Sequence, residues 1–211
     1  SLRDLMDMGF EQMGISEKNV LNEIFNTITA IHARGIGHYN LSPDNIYIDE
    51  TGIRLLDFGK AKYKMYQATG GRVIRYEEDY IAPEVLSGKE VRMNADLYSL
   101  GITMYEMLSG KVPFIGDSTV AVALAHIQEQ AVPLSTINKD IPYGIEMIVN
   151  KCMQKKPELR YLSVSELITD LKKAVADPEG DLVKIAPIVN DDSPTIHISD
   201  EDIKSIRNGA K

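Results

Sequence analysis

Apolar residues recur at helical spacing in six stretches of this chain. Leu2, Leu5, Met6 and Met8 predict a short helix within residues 1–10, and Gly14 breaks the pattern. Ser16 is a suitable N-cap, and Glu17 is favourable in the first turn of a helix reaching to about Arg34. Val20, Leu21, Ile24, Phe25, Ile28 and Ile31 form its apolar stripe, and Gly35 and Gly37 end it. Residues 94–109 carry Leu97, Leu100, Ile102, Met104, Tyr105 and Leu108 on more than one face, which predicts a buried central helix stopped by Gly110. Asp117 or Ser118 caps the next helix, to about Gln130. Pro142 suits the first turn of another, to about Gln154, with Ile145, Ile148, Val149 and Cys152 toward the core. Ser163-x-x-Glu166 is a capping box for a last helix through Leu167, Ile168, Leu171 and Val175, ended by Asp177-Pro178.

The period changes in one place. Ile46-Tyr47-Ile48 and Ile53-Arg54-Leu55-Leu56 read as two strands, and Asp49-Glu50-Thr51-Gly52 as the turn joining them. The fold class is therefore mainly α with a small β-hairpin, in one domain over residues 1–176. Residues 60–79 show no sustained period, carry Gly70-Gly71 and many charges, and predict a mobile surface loop. Residues 177–211 are polar and acidic, and predict a linker with little structure of its own. The chain opens on Ser1 directly before a helical pattern, which suggests a piece of a longer protein.

Composition narrows the function classes. With 211 residues and 44% hydrophobic content the chain can bury one substantial core. A net charge of −8 argues against sequence-independent nucleic-acid binding, which needs a positive field. The single cysteine, Cys152, allows no intrachain disulfide and reads as a core residue. No apolar run approaches the roughly 20 residues of a membrane span, and no secretory signal peptide is evident. His32, His126 and His197 lack metal-ligand spacing, so packing or surface roles are expected of them.

The chemistry gathers around the hairpin. Before it stands His38-Tyr39-Asn40-Leu41-Ser42-Pro43-Asp44-Asn45, and after it Asp57-Phe58-Gly59. The hairpin brings Asn45 and Asp57 to one end, where two oxygen ligands can share a hard cation. Further on come Ala82-Pro83-Glu84, Asp96-Leu97-Tyr98-Ser99-Leu100-Gly101, Pro113-Phe114 and Arg160.

In this order and near this spacing, the set resembles a protein kinase, and only its C-terminal lobe, over about residues 2–176. It is most similar to bacterial serine/threonine kinases of the type with extracellular PASTA repeats. Phe114-Ile115-Gly116-Asp117-Ser118, Ala123-Leu124-Ala125-His126-Ile127 and the tail Asp191-Asp192-Ser193-Pro194-Thr195-Ile196 resemble their segments. The resemblance implies ATP and magnesium as cofactors, with Asn45 and Asp57 holding the metal on the nucleotide phosphates. His38 and Phe58 would pack in the apolar spine. Asp96 would accept hydrogen bonds from the catalytic-loop backbone, and Glu84 would pair with Arg160. The implied setting is cytoplasmic, in a fuller protein that crosses a membrane once and keeps this domain on the cytoplasmic side.

Several positions depart from the family together. Asn40 stands where the family has its catalytic Asp, and a neutral amide cannot act as a base. Ser42 replaces a Lys that stabilises charge on the transferring phosphoryl group, and Tyr39 replaces an Arg. Tyr76-Glu77 stands in place of Gly-Thr. Thr69 is the lone Ser or Thr between Asp57 and Glu84, either a phosphorylation site or a plain loop residue. No Gly-rich phosphate loop and no strand Lys of the kinase small lobe occurs in the chain, so these residues cannot alone complete an active site. Three readings are open. The chain is a pseudokinase module that binds protein partners, an active kinase whose small lobe lies elsewhere, or a structural remnant without a nucleotide site.

Overall fold

The computed structural model describes residues 1–59 and 78–178, together with Gly180 and Val183. Helix α1, Leu2–Met8, is capped by the Ser1 side chain and buries Leu2 and Leu5, while Met8 faces solvent. Helix α2, Glu17–His32, begins where the Ser16 hydroxyl accepts from the Asn19 amide, and buries Val20, Ile24, Phe25 and Ile28. Strand β1, Ile46–Asp49, pairs antiparallel with β2, Gly52–Leu55, in the register Ile46–Leu55 to Asp49–Gly52. Strand β2 thus stops one residue short of its predicted end. Leu56 leaves the ladder, although its amide still donates to the Asn45 carbonyl at 2.9 Å.

A short helix α3, Pro83–Leu86, precedes α4, Ala95–Ser109. All residues of α4 from Ala95 to Glu106 are buried, so this is the central helix that its all-round apolar pattern predicts. Gly110 ends it in the left-handed conformation, at φ 76°. Helix α5, Thr119–Gln128, is capped by Ser118 rather than Asp117. A one-turn helix α6, Leu134–Ile137, leads to α7, Tyr143–Cys152, with Pro142 at the N-cap. Helix α8, Val164–Ala176, is capped by Ser163, whose hydroxyl accepts from the Glu166 amide at 3.2 Å. The Glu166 carboxylate answers on Leu162 N rather than Ser163 N, and Val175 faces solvent instead of the core.

Helix α4 packs on α7, which packs on α8, while α2 lies against α8 and β2. Gly101 permits the close approach of α4 to α7, because a Cβ there would stand 2.6 Å from the Cys152 Cβ. Cys152 is fully buried, and burial pushes its thiol up to about 12, as befits an inert core residue. No helix among the described residues is long and apolar enough to cross a membrane.

Two regions differ from expectation. Glu78–Tyr80, at the end of the predicted mobile loop, forms a 3₁₀ turn with Tyr80 buried, packed against α4 and α5. Residues 60–77, which include Thr69, Tyr76 and Glu77, lie outside the described residues. At the other end the chain does not leave the domain at Ala176. The Pro178 carbonyl accepts from the Gly144 amide at 3.1 Å, and Val183 is buried. The rest of the acidic tail lies outside the described residues.

His126 on α5 is buried beside Tyr98 and Phe114, and the Tyr98 hydroxyl shares a hydrogen bond with its Nδ1 at 2.9 Å. Burial, with the nearby Lys155 charge, lowers its pKa from 6.5 to about 3. The native state therefore binds fewer protons than the unfolded chain between those values, and stability falls as the pH drops below 6.5. Urea titrations from neutral to mildly acid pH should show a slope that His126→Phe flattens; an unchanged slope would remove His126 as its source.

Candidate active site

The site begins at the N-terminal turn of α4. Asp96 is fully buried there, and its carboxylate takes the His38 amide at 2.7 Å on Oδ2 and the Tyr39 amide at 2.6 Å on Oδ1. These bonds hold the loop 37–42 in place, with Tyr39 at φ 60°, a conformation a non-glycine residue keeps only when its surroundings impose it. His32, at the end of α2, donates Nε2 to Asp96 Oδ2 at 2.8 Å. The packing role expected of His32 therefore becomes a polar one, and sequence offers no signal for it.

His38 is buried and its ring orders the loop from inside. Nε2 lies 2.9 Å from the Leu56 carbonyl and must donate, so Nδ1 is left to accept the Asn40 amide at 3.3 Å. The His38 ring meets Phe58 at 4.4 Å between centroids, but Phe58 is 39% exposed, so only one side of it is covered. The Gly59 amide donates to the His38 carbonyl at 2.6 Å. A Cβ on Gly59 would stand 2.6 Å from the Tyr39 carbonyl oxygen, and this approach is why glycine is required there.

Asn40 sits between the two candidate metal ligands. Its carbonyl accepts from Asn45 Nδ2 at 2.9 Å. Its own Nδ2 donates to Asp57 Oδ2 at 3.1 Å and to the Asp57 carbonyl at 3.2 Å. Two oxygens on one side fix the amide orientation, because Oδ1 in that place would oppose both. Asp57 is held at φ 57°. Asn40 Oδ1 and Ser42 Oγ are buried and have no hydrogen-bond partner among the described residues. Asn45 presents its remaining amide oxygen, and Asp57 a carboxylate, a pair of hard donors at the end of the hairpin.

Farther along, Glu84 on α3 and Arg160 form a buried fork. Arg160 Nη1 and Nη2 each reach a Glu84 oxygen at 2.7 Å. Its other three N–H groups go to the carbonyls of Asn94, Gln154 and Lys155, so all five donors are used. The Tyr98 ring lies 4.8 Å from the guanidinium carbon. A second guanidinium, which no sequence motif marks, joins α1 to the site. Arg3 Nη1 reaches Glu106 Oε1 at 2.7 Å, Nη2 meets the Tyr80 hydroxyl, and Nε lies 3.4 Å from Asp44.

Asp96→Asn is expected to cost about 1–3 kcal/mol, because an amide offers one acceptor oxygen where two backbone amides wait. Urea denaturation measures it, and loss of amide exchange protection at His38 or Tyr39 shows which bond broke. An unchanged midpoint would mean that the loop does not depend on this carboxylate.

Comparison with known proteins agrees with this geometry. Residues 2–171 match the protein kinase domain family. A probable serine/threonine-protein kinase of Clostridium acetobutylicum is 34% identical over 189 residues, which is 85% of this chain and 29% of that protein. One of Clostridium perfringens is 40% identical over 159 residues, 74% of this chain and 23% of that protein. Serine/threonine-protein kinase PrkC of Bacillus subtilis is 29% identical over 187 residues, 82% of this chain and 29% of that protein. The chain thus spans less than a third of the length of these relatives. A buried aspartate under a strained loop, a two-stranded hairpin ending in Asn45 and Asp57, a central buried helix and a family match over most of the length coincide in one polypeptide, and on these grounds the chain belongs to the protein kinase family, as a serine/threonine kinase-like domain.

Proposed function

We propose that this domain is a pseudokinase, a kinase-like module that has lost phosphotransfer and serves as a regulatory or scaffolding partner of other proteins. The Asn40 amide carries this reading. At the position where the resemblance expects a proton acceptor, the side chain donates to Asp57 instead. A neutral amide has no basic lone pair for a substrate hydroxyl. Ser42, beside it, brings a hydroxyl and no positive charge to the place of a phosphate-stabilising lysine.

The donor set fits magnesium in the company of phosphate. Magnesium is held through one or two protein oxygens plus phosphates and water, and Asn45 and Asp57 would supply those oxygens. The metal, when bound, neutralises phosphate charge. Asn40 already occupies Asp57 Oδ2 with a hydrogen bond, so nucleotide binding must compete with it. A complete cleft also needs the small lobe, which we place elsewhere in the longer protein, with this domain on the cytoplasmic side of a single-pass membrane anchor. Glu77 stands in sequence where the resemblance expects a threonine.

A second reading, an active kinase assembled with that small lobe, is favoured by one observation: Asn45 and Asp57 both stand at the hairpin end. Magnesium-dependent nucleotide binding and phosphotransfer by the longest natural form separate the two. We expect weak or no binding and negligible transfer to a protein substrate. Robust transfer, abolished by Asp57→Ala, would overturn the proposal.

A further inference from the structure

We propose that the cleft bounded by Phe114, the segment 130–133 and the C-terminal end of α7 is a binding site for a small organic carboxylate with an apolar body. It lies apart from the Asn40–Asp57 site and does not rest on the reading given for that site. The cavity measures about 220 Å³. That is somewhat below the roughly 300–1,000 Å³ of pockets for drug-sized ligands, and suits a smaller metabolite. Phe114, Pro133 and Met153 give it apolar walls, and the amides of Gln130 and Asn150 give it polar groups. Among the described residues no acidic side chain lines it, which disfavours cationic occupants.

Lys155 supplies the charge. Its Nζ stands 4.0 Å from the centre of the Phe114 ring, 5.8 Å from that of Tyr98, and 3.5 Å from the Ala125 carbonyl. The other partly or fully buried cations among the described residues have carboxylate partners: Arg3 on Glu106, Lys151 on Glu166 and Asp170, Arg160 on Glu84. Lys155 alone among them has no carboxylate within ion-pair distance. A half-buried ammonium against an aromatic face, beside a cavity free of acids, is an anchor for an anion. Desolvation and the nearby Arg160 charge lower its pKa to about 7, with Glu129 opposing the shift weakly. A bound carboxylate would restore the proton, so affinity should fall as the pH rises above that value.

The test titrates the 211-residue chain with benzoate, benzamide and inorganic phosphate, following the Met153 methyl and the Gln130 and Asn150 side-chain amides by NMR. We expect saturable benzoate shifts near pH 6 that weaken about tenfold or more near pH 9. Benzamide, the neutral isostere, and phosphate, which lacks an apolar body, should bind at least about tenfold more weakly than benzoate at the lower pH. Lys155→Met should remove the preference for benzoate over benzamide. Lys155→Arg, whose charge does not titrate, should keep benzoate binding and lose its pH dependence, and it decides the matter if the methionine variant does not fold. Absence of saturable shifts, equal binding of benzamide, tighter binding of phosphate, or wild-type pH dependence in Lys155→Arg would overturn the proposal.

Discussion

Arg160→Met is expected to lower the unfolding free energy by about 3–5 kcal/mol, the usual cost of removing one partner of a buried ion pair. The side chain is fully buried, and all five of its donors are used. Methionine fills much of the volume but leaves the Glu84 carboxylate without its partner in a nearly dry site, and frees three backbone carbonyls. Lysine is no remedy, since three donors on a point charge cannot reproduce a five-donor planar fork. The double variant Glu84→Leu/Arg160→Met removes the stranded charge, so its cost should fall short of the sum of the two single changes. Urea denaturation of the four proteins measures the cycle. A loss below about 1 kcal/mol in Arg160→Met would mean that the fork does not hold the helices together.

The catalytic loop should resist simple repair. With a suitable small lobe supplied, the unmodified domain is expected to show negligible transfer, because lost general-base help alone typically costs about 10²–10⁴-fold. Asn40→Asp should recover little. It restores a carboxylate, but Ser42 still supplies no charge, and Glu77 still stands in sequence where the resemblance expects a threonine. The change also sets one carboxylate oxygen against another where the Asn40 amide now meets Asp57 Oδ2 at 3.1 Å. Without metal, that like-charge contact should raise a carboxyl pKa in the folded state. The folded variant then binds more protons than its unfolded chain, so its stability should fall as the pH rises from about 4 through the raised value. Denaturation of Asn40→Asp at mildly acid and neutral pH, against the parent, reads this directly. The triple variant Asn40→Asp, Ser42→Lys, Glu77→Thr should recover more transfer than any single change, since by resemblance all three departures bear on one step and such effects are not additive. Full recovery by Asn40→Asp alone would show that the other two positions are incidental.

Much of the fold is legible in local pattern. Serines 16, 118 and 163 cap helices because a hydroxyl before an apolar period satisfies an orphan amide wherever it occurs. The hairpin is marked by a change of period to two and a turn ending at Gly52. Pattern and structure part at the ends of elements. Helix α5 stops at Gln128 and α7 at Cys152, short of the predicted 130 and 154, because the residues beyond them join connecting segments instead of continuing an apolar face. The turn at Glu78–Tyr80 has no local signature, because it is held by distant groups: Tyr80 packs against α4 and α5, and its hydroxyl meets Arg3 and Glu106.

The sequence by itself determined that a helical domain forms around the central helix, that one hairpin carries Asn45 and Asp57 to a common end, and that Asn40 holds no base. Those properties are set by residue type and by neighbours a few positions away. Tertiary structure alone decided which charges meet. Arg3 finds Glu106 across 103 positions, His32 finds Asp96 across 64, and Lys155 is left on Phe114 with no carboxylate partner among the described residues. Sequence patterns report which face of an element is buried, because burial repeats with the element's own period. They do not report the partner of a polar group, because a hydrogen bond depends on positions fixed to within about half an ångström, and only the packing of distant elements sets those.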